Sequence, residues 1–268
     1  MRSVCIAMTL LTLPLAASPK VHGPDFHNKM AHVEGPKVRV LLASGVNSAL
    51  LEVKGPYRVE RTQSGTFLSS GSVGKRYVIH GIENGMRWGE EFPKTTALTV
   101  IPTSHDTQFF VNGFQYRGAV TVGMDKKGQL VIINEAPIED FVKSVLAVKY
   151  QRPLSKEAGA ALAIVERTRI FSKVLENQEK NVLWDVTAKE SGYCGYGVTH
   201  NHFGIDEAVD WTPFMVVQSR NANQSLVDVR LSLPKAVELA DMGFDAKRIL
   251  SECFPQMMLG LTADPARL

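Results

Sequence analysis

Residues 110–173 read FVNGFQYRGAVTVGMDKKGQLVIINEAPIEDFVKSVLAVKYQRPLSKEAGAALAIVERTRIFSK, and this stretch decides the fold. Two runs of strand-forming residues, 111–122 and 130–133, flank the turn-forming sequence DKKG at 125–128. Strand-like runs on both sides of a glycine-containing turn are typical of a β-hairpin. The first half of the stretch is therefore predicted to form a hairpin.

Two helices are predicted to follow the hairpin. Pro137 suits a first helical turn because it lacks an N–H, and Glu139 and Asp140 suit the positive helix N-terminus. A second helix is predicted after Pro153, with Ser155 as its N-cap. Small or apolar residues recur along this helix at Ala158, Ala161, Leu162 and Val165. Because small side chains let another backbone approach closely, we expect this helix to be buried between the hairpin and the segment that follows.

Four short motifs follow one another in this stretch: YRG at 116–118, NEAPIEDF at 134–141, PLSKEA at 153–158 and RT at 167–168. In this order they resemble the SpoIID/LytB family of cell-wall proteins, which contains lytic transglycosylases and amidase enhancers that act on peptidoglycan. The resemblance implies that peptidoglycan glycan strands are the partner of this chain. It also implies that the following residues contact the substrate: Arg117, Tyr150, Arg167, Asp185 and Tyr196.

One position of the central stretch departs sharply from the family pattern. Between its two helices the family reads VVPSEMP, and the Glu is the catalytic acid, whereas this chain reads VLAVKYQ at 145–151. Lys149 therefore occupies the position of the acid. A solvated lysine has a reference pKa near ~10.4 and is a poor proton donor at neutral pH. Losing general acid catalysis typically costs roughly a hundred- to ten-thousandfold in rate.

Two other acidic residues are candidates to compensate for Lys149. Glu166 stands where the family has Ala, next to Arg167, and Glu190 lies in the loop that follows the second helix. Either residue could pair with the lysine charge or take over the proton. Glu157 is a third candidate for a relocated acid, and the alternative is a structural role at the start of the second helix, where a carboxylate favours the helix N-terminus.

The whole chain is predicted to be an α+β protein with one large domain at 37–262. Residues 37–109 form a β-rich subdomain, because short strand-like runs alternate with the turn signals GP at 55–56, SG at 64–65 and NG at 84–85. Residues 110–262 form the core with the groove, in which the hairpin and the buried Ala-rich helix are followed by C-terminal helices. The amphipathic spacing after residue 232 predicts these last helices.

Composition and the N-terminus indicate an exported globular protein. The 268 residues are 44% hydrophobic and 21% charged, which is ordinary for a folded protein, and a net charge of +3 is too small to indicate nucleic-acid binding. Residues 1–17 have the layout of a secretory signal peptide, with an uncleaved anchor as the alternative. Residues 18–36 are predicted to be a flexible lead-in. The expected location is the periplasm or cell envelope, with no membrane span after signal removal.

The loop at 181–207 contains the candidate metal ligands. Cys194 stands where the family has a Gln, and some family members hold zinc in this loop. Cys194, His200 and His202 offer the ligand types that zinc prefers, but a fourth ligand would be needed from elsewhere. The alternative is a polar groove loop without any cofactor. The sequence leaves open whether Cys194 forms a disulfide with Cys253.

Three functions are compatible with these residues. The first is an exported protein that binds glycan strands during peptidoglycan remodelling, with lost or altered catalysis, and that acts alone or with a cell-wall amidase. The second is an active lytic transglycosylase that uses a relocated acid. The third is an exported structural protein whose groove has no ligand. Lys149 favours the first over the second, and so does the lack of the two groove segments, HSxxGG and HGVGMSQ, that the family has after the position of Val217.

Overall fold

A computed structural model of the protein describes residues 35–201, 204–220 and 229–262, without the side chains of residues 200 and 201. The predicted signal peptide and His202 lie outside these residues. The strands are β1 Lys37–Val46, β2 Ser48–Lys54, β3 Tyr57–Arg61, β4 Thr66–Gly71, β5 Lys75–Ile82, β6 Gly85–Trp88, β7 Glu90–Pro93, β8 Ala97–Pro102, β9 Gln108–Val111, β10 Phe114–Tyr116, β11 Ala119–Met124, β12 Leu130–Pro137, β13 Val186–Thr187, β14 Met215–Ser219 and β15 Met257–Leu261. The helices are α1 Ile138–Lys149, α2 Lys156–Glu179, α3 Ala188–Ser191, α4 Ile205–Trp211, α5 Leu233–Asp241 and α6 Ala246–Cys253, with a 3-10 helix at Tyr196–Asn201. This content confirms the predicted α+β class.

Two β-sheets form the β-rich part of the domain. The larger sheet has the order β13-β1-β12-β11-β8-β3-β4, and the second sheet has the order β10-β9-β2-β5-β6-β7. Pairing is antiparallel throughout both sheets except between β1 and β13. Inward-facing side chains of both sheets share one core, in which Tyr57 of the larger sheet contacts Trp88 of the second with ring centroids 5.6 Å apart. The alternation of buried and exposed residues along these strands is what the sequence pattern predicts.

The central hairpin is confirmed, but its first strand is shorter than predicted. Strands β11 and β12 pair as a hairpin around residues 125–128. The run 111–122 is broken, because Asn112 and Gly113 both adopt positive φ, at 50° and 88°, and fold β10 back on β9. Two adjacent residues with positive φ are typical of the tight turn that an Asn-Gly pair favours. The prediction of one continuous strand was therefore wrong at a turn that the sequence itself contains.

Helix α2 is buried, as the Ala-rich pattern predicts. Its residues from Ala158 to Val165 are almost inaccessible to solvent. At Gly159 an added Cβ would lie 3.0 Å from the Cβ of Ala208, so α4 crosses α2 at close range. The helix contacts α1, α4, α5, α6 and β14, and it reaches the large sheet through β1, the neighbour of hairpin strand β12. The predicted C-terminal helices are α5 and α6.

The N-cap of α2 provides a direct test of the helix start. The Ser155 hydroxyl oxygen accepts a hydrogen bond from the backbone N–H of Ala158 at 3.4 Å, as predicted. We expect Ser155→Ala to lower the free energy of unfolding by about 1 kcal/mol, because the backbone donor loses its partner. Ser155→Asp is the matched control and should cost little, since Asp also caps. Urea denaturation measures both, and an equal loss in the two variants would contradict the capping role.

Candidate functional site

The motif residues of the central stretch meet around the buried side chain of Asn134 on β12. Its Nδ2 donates hydrogen bonds to the carbonyl oxygens of Arg117 at 2.9 Å and Ala119 at 3.0 Å. Its Oδ1 accepts a hydrogen bond from the Tyr193 hydroxyl at 2.8 Å. Between the two carbonyls, Gly118 has φ +81°, and a Cβ there would collide with the carbonyl of Glu135. Asn134 thus fixes the turn at 117–119 and ties it to the loop that contains Tyr193.

Tyr193 is the hub of an aromatic cluster. Its ring stacks on Phe141 of α1 with centroids 5.2 Å apart, and it lies 5.8 Å from the ring of Tyr116. Burial raises the pKa of Tyr193 well above its ordinary value and raises the pKa of Tyr116 to about 12. Both phenols are therefore neutral at physiological pH. The Tyr193 hydroxyl serves as a hydrogen-bond donor, and both rings serve as packing groups.

The loop at 192–195 lies directly on α1 and β10. The backbone N–H of Cys194 donates to the Ser144 hydroxyl at 3.4 Å, and Gly192 approaches the side chain of Val148. Gly195 has φ +81°, and a Cβ there would collide with the carbonyl of Gln115. Only glycine permits this approach without strain. The loop that the sequence places near the site is therefore held against the two elements that precede it.

At the surface of this cluster, Arg117 joins the loop to α1. Its guanidinium lies 3.6 Å from the ring centroid of Tyr196, and its Nη1 lies 3.9 Å from Oδ1 of Asp140. The Arg117 side chain is 43% exposed, whereas that of Asp140 is 14% exposed. Guanidinium stacking on an aromatic ring is a common arrangement at binding surfaces, because it leaves the donor edge open. The pair therefore presents a cation to solvent with a carboxyl group behind it.

Asp140 has an unusual environment for a helix N-terminal carboxylate. Burial raises its pKa above the ordinary value of 3.8, Arg117 and Lys143 oppose that rise, and Asp210 and Glu139 add to it. The net direction is upward, so the folded protein holds this proton more tightly than the unfolded chain does.

This pKa shift predicts a pH dependence. The free energy of unfolding should fall as the pH rises from about 3.8 through the folded pKa, because the unfolded chain releases the proton first. The amide of Asp140→Asn does not titrate, so its free energy of unfolding does not have this pH-dependent fall. Wild type should therefore lose stability relative to the variant between pH 3.5 and pH 7. Urea titrations at both pH values measure the difference. A difference that stays constant, or changes in the opposite direction, would contradict the raised pKa.

Lys149 is the last residue of helix α1, and it lies on a different face of that helix from Val148, which approaches the loop. Its Nζ lies 3.5 Å from Oε2 of Glu166 on α2, and Glu166 also accepts hydrogen bonds from Arg169 at 3.0 and 3.2 Å. Successive residues of a helix are turned by about 100°, so Lys149 points toward α2 while Val148 touches the loop. Lys149 is 46% exposed and Glu166 is 12% exposed. Glu166 was predicted to compensate for Lys149 either by charge pairing or by taking over the proton. The structure contains the charge pair.

Comparison with known proteins gives one family and several relatives. The model of the family SpoIID, described as stage II sporulation protein, matches residues 126–218. An uncharacterised protein of Chlamydia pneumoniae is 37% identical over 244 residues, which cover 91% of this chain and 88% of the relative. The chain belongs to the SpoIID family. An uncharacterised protein of Chlamydia muridarum is 38% identical over 219 residues, which cover 82% of this chain and 75% of the relative. No solved structure matches.

Membership of the SpoIID family suggests a cell-wall-related function. Proteins with this domain are generally exported. Within the part of the chain that the structure describes, no helix is long and apolar enough to span a membrane.

The structure corrects the predicted binding role of Arg167. This residue of the SpoIID motif is fully buried. Its Nε and Nη2 donate to the carboxylate of Glu139 at 2.9 and 2.7 Å, and its Nη1 donates to the carbonyl of Met215 at 3.0 Å. A guanidinium with no exposed surface cannot contact a glycan. Arg167 instead holds α1, α2 and β14 together.

Two more of the predicted substrate contacts are buried. Tyr150 is 5% exposed, and Asp185 is 7% exposed. The carboxylate of Asp185 accepts hydrogen bonds from the backbone and guanidinium of Arg39, which fixes the loop to β1. Of the five predicted contacts, Arg117 and Tyr196 are brought together near the surface, whereas Tyr150, Arg167 and Asp185 lie inside the domain.

The remaining predicted site residues are Glu190 and the candidate zinc ligands, of which Cys194 lies in the loop of this cluster. Glu190 lies on the exposed helix α3, whose start is capped by Thr187. Among the predicted zinc ligands, only Cys194 has a described side chain, and it is a free thiol, as is Cys253. The described side chains contain no group of three or more His, Cys, Asp and Glu residues able to hold a metal ion. Since His202 lies outside them, zinc stays a prediction.

Sequence reasoning missed Tyr193 and underrated Asp140. Tyr193 stands next to Cys194, and its aromatic ring in a glycine-rich loop was a usable signal of anchoring. Asp140 was interpreted only as a carboxylate that suits the helix N-terminus. Its burial could not be foreseen, because it depends on the distant Arg117 and on the loop that covers it. Neither partner is visible from local spacing.

Proposed function

We propose that this protein binds the glycan strands of peptidoglycan in the cell envelope and takes part in their remodelling without the acid catalysis of its family. The observation that supports the proposal is the ion pair of Lys149 with Glu166 at the position of the family acid. Membership of the SpoIID family supports the polymer class. Enhancement of a cell-wall amidase is compatible with this function, because it needs glycan binding and no acid.

Cleavage of a glycan strand by a lytic transglycosylase requires a carboxylic acid that is kept protonated by burial beside the glycosidic oxygen. Lys149 is half-exposed and charged, Glu166 lies between two cations, and Glu190 is exposed. Lys149 and Glu190 lack the buried surroundings of a catalytic acid, and the carboxylate of Glu166 is already engaged by Lys149 and Arg169. The proposed function therefore rests on binding.

One observation favours a second candidate, an active lytic transglycosylase with a relocated acid. Asp140 is largely buried, its pKa is raised by that burial, and it lies behind the exposed Arg117. In this candidate Asp140 would donate its proton to the glycosidic oxygen of a strand that Arg117 positions. The muramic 6-hydroxyl would then attack the anomeric carbon and return a proton to Asp140.

A single preparation separates the two candidates. The chain from residue 18 is incubated with purified sacculi and with glycan strands, with and without stem peptides. The expected result is co-sedimentation with the polymer and no anhydro-muropeptides by mass spectrometry. Anhydro products that disappear in Asp140→Asn would establish the second candidate instead. Failure to sediment with any of these polymers would overturn the proposed function.

A further inference from the structure

An open cavity of about 470 Å³ lies at the end of α2, beside the segment that leads into β13 and α3. Residues that line it include Asn177, Asn181, Leu183, Trp184, Thr187 and Glu190. The volume falls in the roughly 300–1,000 Å³ range of small-molecule sites. Except for Asp185, which also lines it, the cavity is formed by residues outside the motifs that indicated the family.

The frame of the cavity is fixed by hydrogen bonds. Asn177 donates from Nδ2 to the carbonyl of Asp185 at 3.0 Å, and the Asp185 carboxylate is engaged by Arg39. The Thr187 hydroxyl accepts from the backbone N–H of Glu190 at 3.1 Å. A frame that is held in this way does not have to be ordered when a ligand binds. The structure therefore contains a preformed concave surface.

The groups that can meet a ligand in the cavity include an indole, an aliphatic side chain and a carboxylate. Leu183 is 70% exposed at the mouth of the cavity, and Trp184 is half-buried in its wall. Within residues 35–201, 204–220 and 229–262, the carboxylate of Glu190 has no hydrogen-bond partner. A purely apolar ligand would displace water from this exposed carboxylate without replacing the hydrogen bonds of that water, which is unfavourable. An anionic ligand would be repelled by it, because Arg39 is already paired with Asp185.

We propose that this cavity is a subsite for a neutral N-acetylated sugar ring of a glycan strand, an assignment that rests on the proposed function. A pyranose ring has an apolar C–H face, which stacks on the Trp184 indole. Its rim carries hydroxyl groups, which donate hydrogen bonds to the Glu190 carboxylate. An aromatic side chain with an apolar face and a polar edge suits such a ligand. Because the cavity is open to solvent, a polymer can enter it without threading.

Tryptophan fluorescence tests the assignment directly. The probe is triacetylchitotriose, a soluble trimer of N-acetylglucosamine. Trp88 is fully buried, and Trp211 is exposed beneath the ammonium of Lys156, so Trp184 alone lines the cavity. We expect the trisaccharide to change the fluorescence of wild type and of Trp211→Phe, and to leave Trp184→Phe unchanged. Glu190→Gln should weaken binding by roughly tenfold, whereas Glu179→Gln, an exposed carboxylate outside the cavity, should not.

The outcomes separate this assignment from the proposed function. A response that persists in Trp184→Phe, or that is lost in Trp211→Phe, would overturn the cavity assignment while sedimentation with sacculi still upheld the function. If the fluorescence change depends on Trp184 but the protein does not sediment with sacculi, the cavity assignment is upheld and the proposed function is contradicted. A response to an apolar dye but not to the trisaccharide would also overturn the sugar assignment. Matching circular dichroism spectra and melting temperatures show that each variant is folded.

Discussion

Arg167→Ala is expected to lower the free energy of unfolding by about 3–5 kcal/mol. Arg167 is fully buried, and its guanidinium donates to the Glu139 carboxylate and to the carbonyl of Met215. The same carboxylate accepts from the backbone N–H of Phe214 at 3.1 Å. Truncation leaves a charge without its partner inside the domain and removes a bond to β14. Urea denaturation followed by circular dichroism measures the loss.

A surface ion pair supplies the matched control for this prediction. Lys180 and Glu176 pair one helical turn apart at the exposed end of α2. Lys180→Ala should cost much less than Arg167→Ala, because solvent screens exposed pairs. In Arg167→Met with Glu139→Leu, much of the lost stability should return, since no unpaired charge remains. If Arg167→Ala costs no more than Lys180→Ala, the buried network has no structural role.

Elements with local signals could be predicted from the sequence. Ser155 marks the start of α2, because its side chain accepts a hydrogen bond from the backbone N–H three residues later. The Ala-rich run predicts a helix with a close neighbour. The turn sequence at 125–128 is also a local signal, and it predicts the hairpin. Each of these features depends on residues that are near one another in the chain.

Features that depend on distant partners could not be predicted. The sequence does not distinguish a buried arginine from an exposed one, so Arg167 was assigned to the substrate although Glu139 and β14 surround it. Strand β15 was missed, because it gains its structure only by pairing with β14 about forty residues earlier. The side chain of Asp185 was assigned to the substrate, whereas its carboxylate is engaged by Arg39 on β1. In each case the partner lies on an element that the fold brings near.

The largest functional change is expected from Lys149→Glu. If the groove survives and only the acid is lost, this variant should release anhydro-muropeptides from glycan strands at a rate roughly a hundred- to ten-thousandfold above any residual cleavage by wild type. The new carboxyl group would lie beside Glu166, which is now 3.5 Å from the lysine Nζ. Two neighbouring carboxylates cannot both ionise easily, so one of them keeps a proton. Arg169 remains to pair with the other.

Lys149→Gln distinguishes a gained acid from a removed cation. It eliminates the ion pair with Glu166 as completely as the glutamate variant does, but it brings no proton to donate. Cleavage in Lys149→Glu alone would therefore mean that the glycan still lies across the end of α1 in reach of residue 149. Cleavage in both variants would mean that the lysine charge itself had suppressed an acid elsewhere, with Asp140 as the buried carboxyl to test next. Sedimentation without cleavage in either variant would place the bound glycan away from α1, since a carboxyl at the family position would then have nothing to protonate.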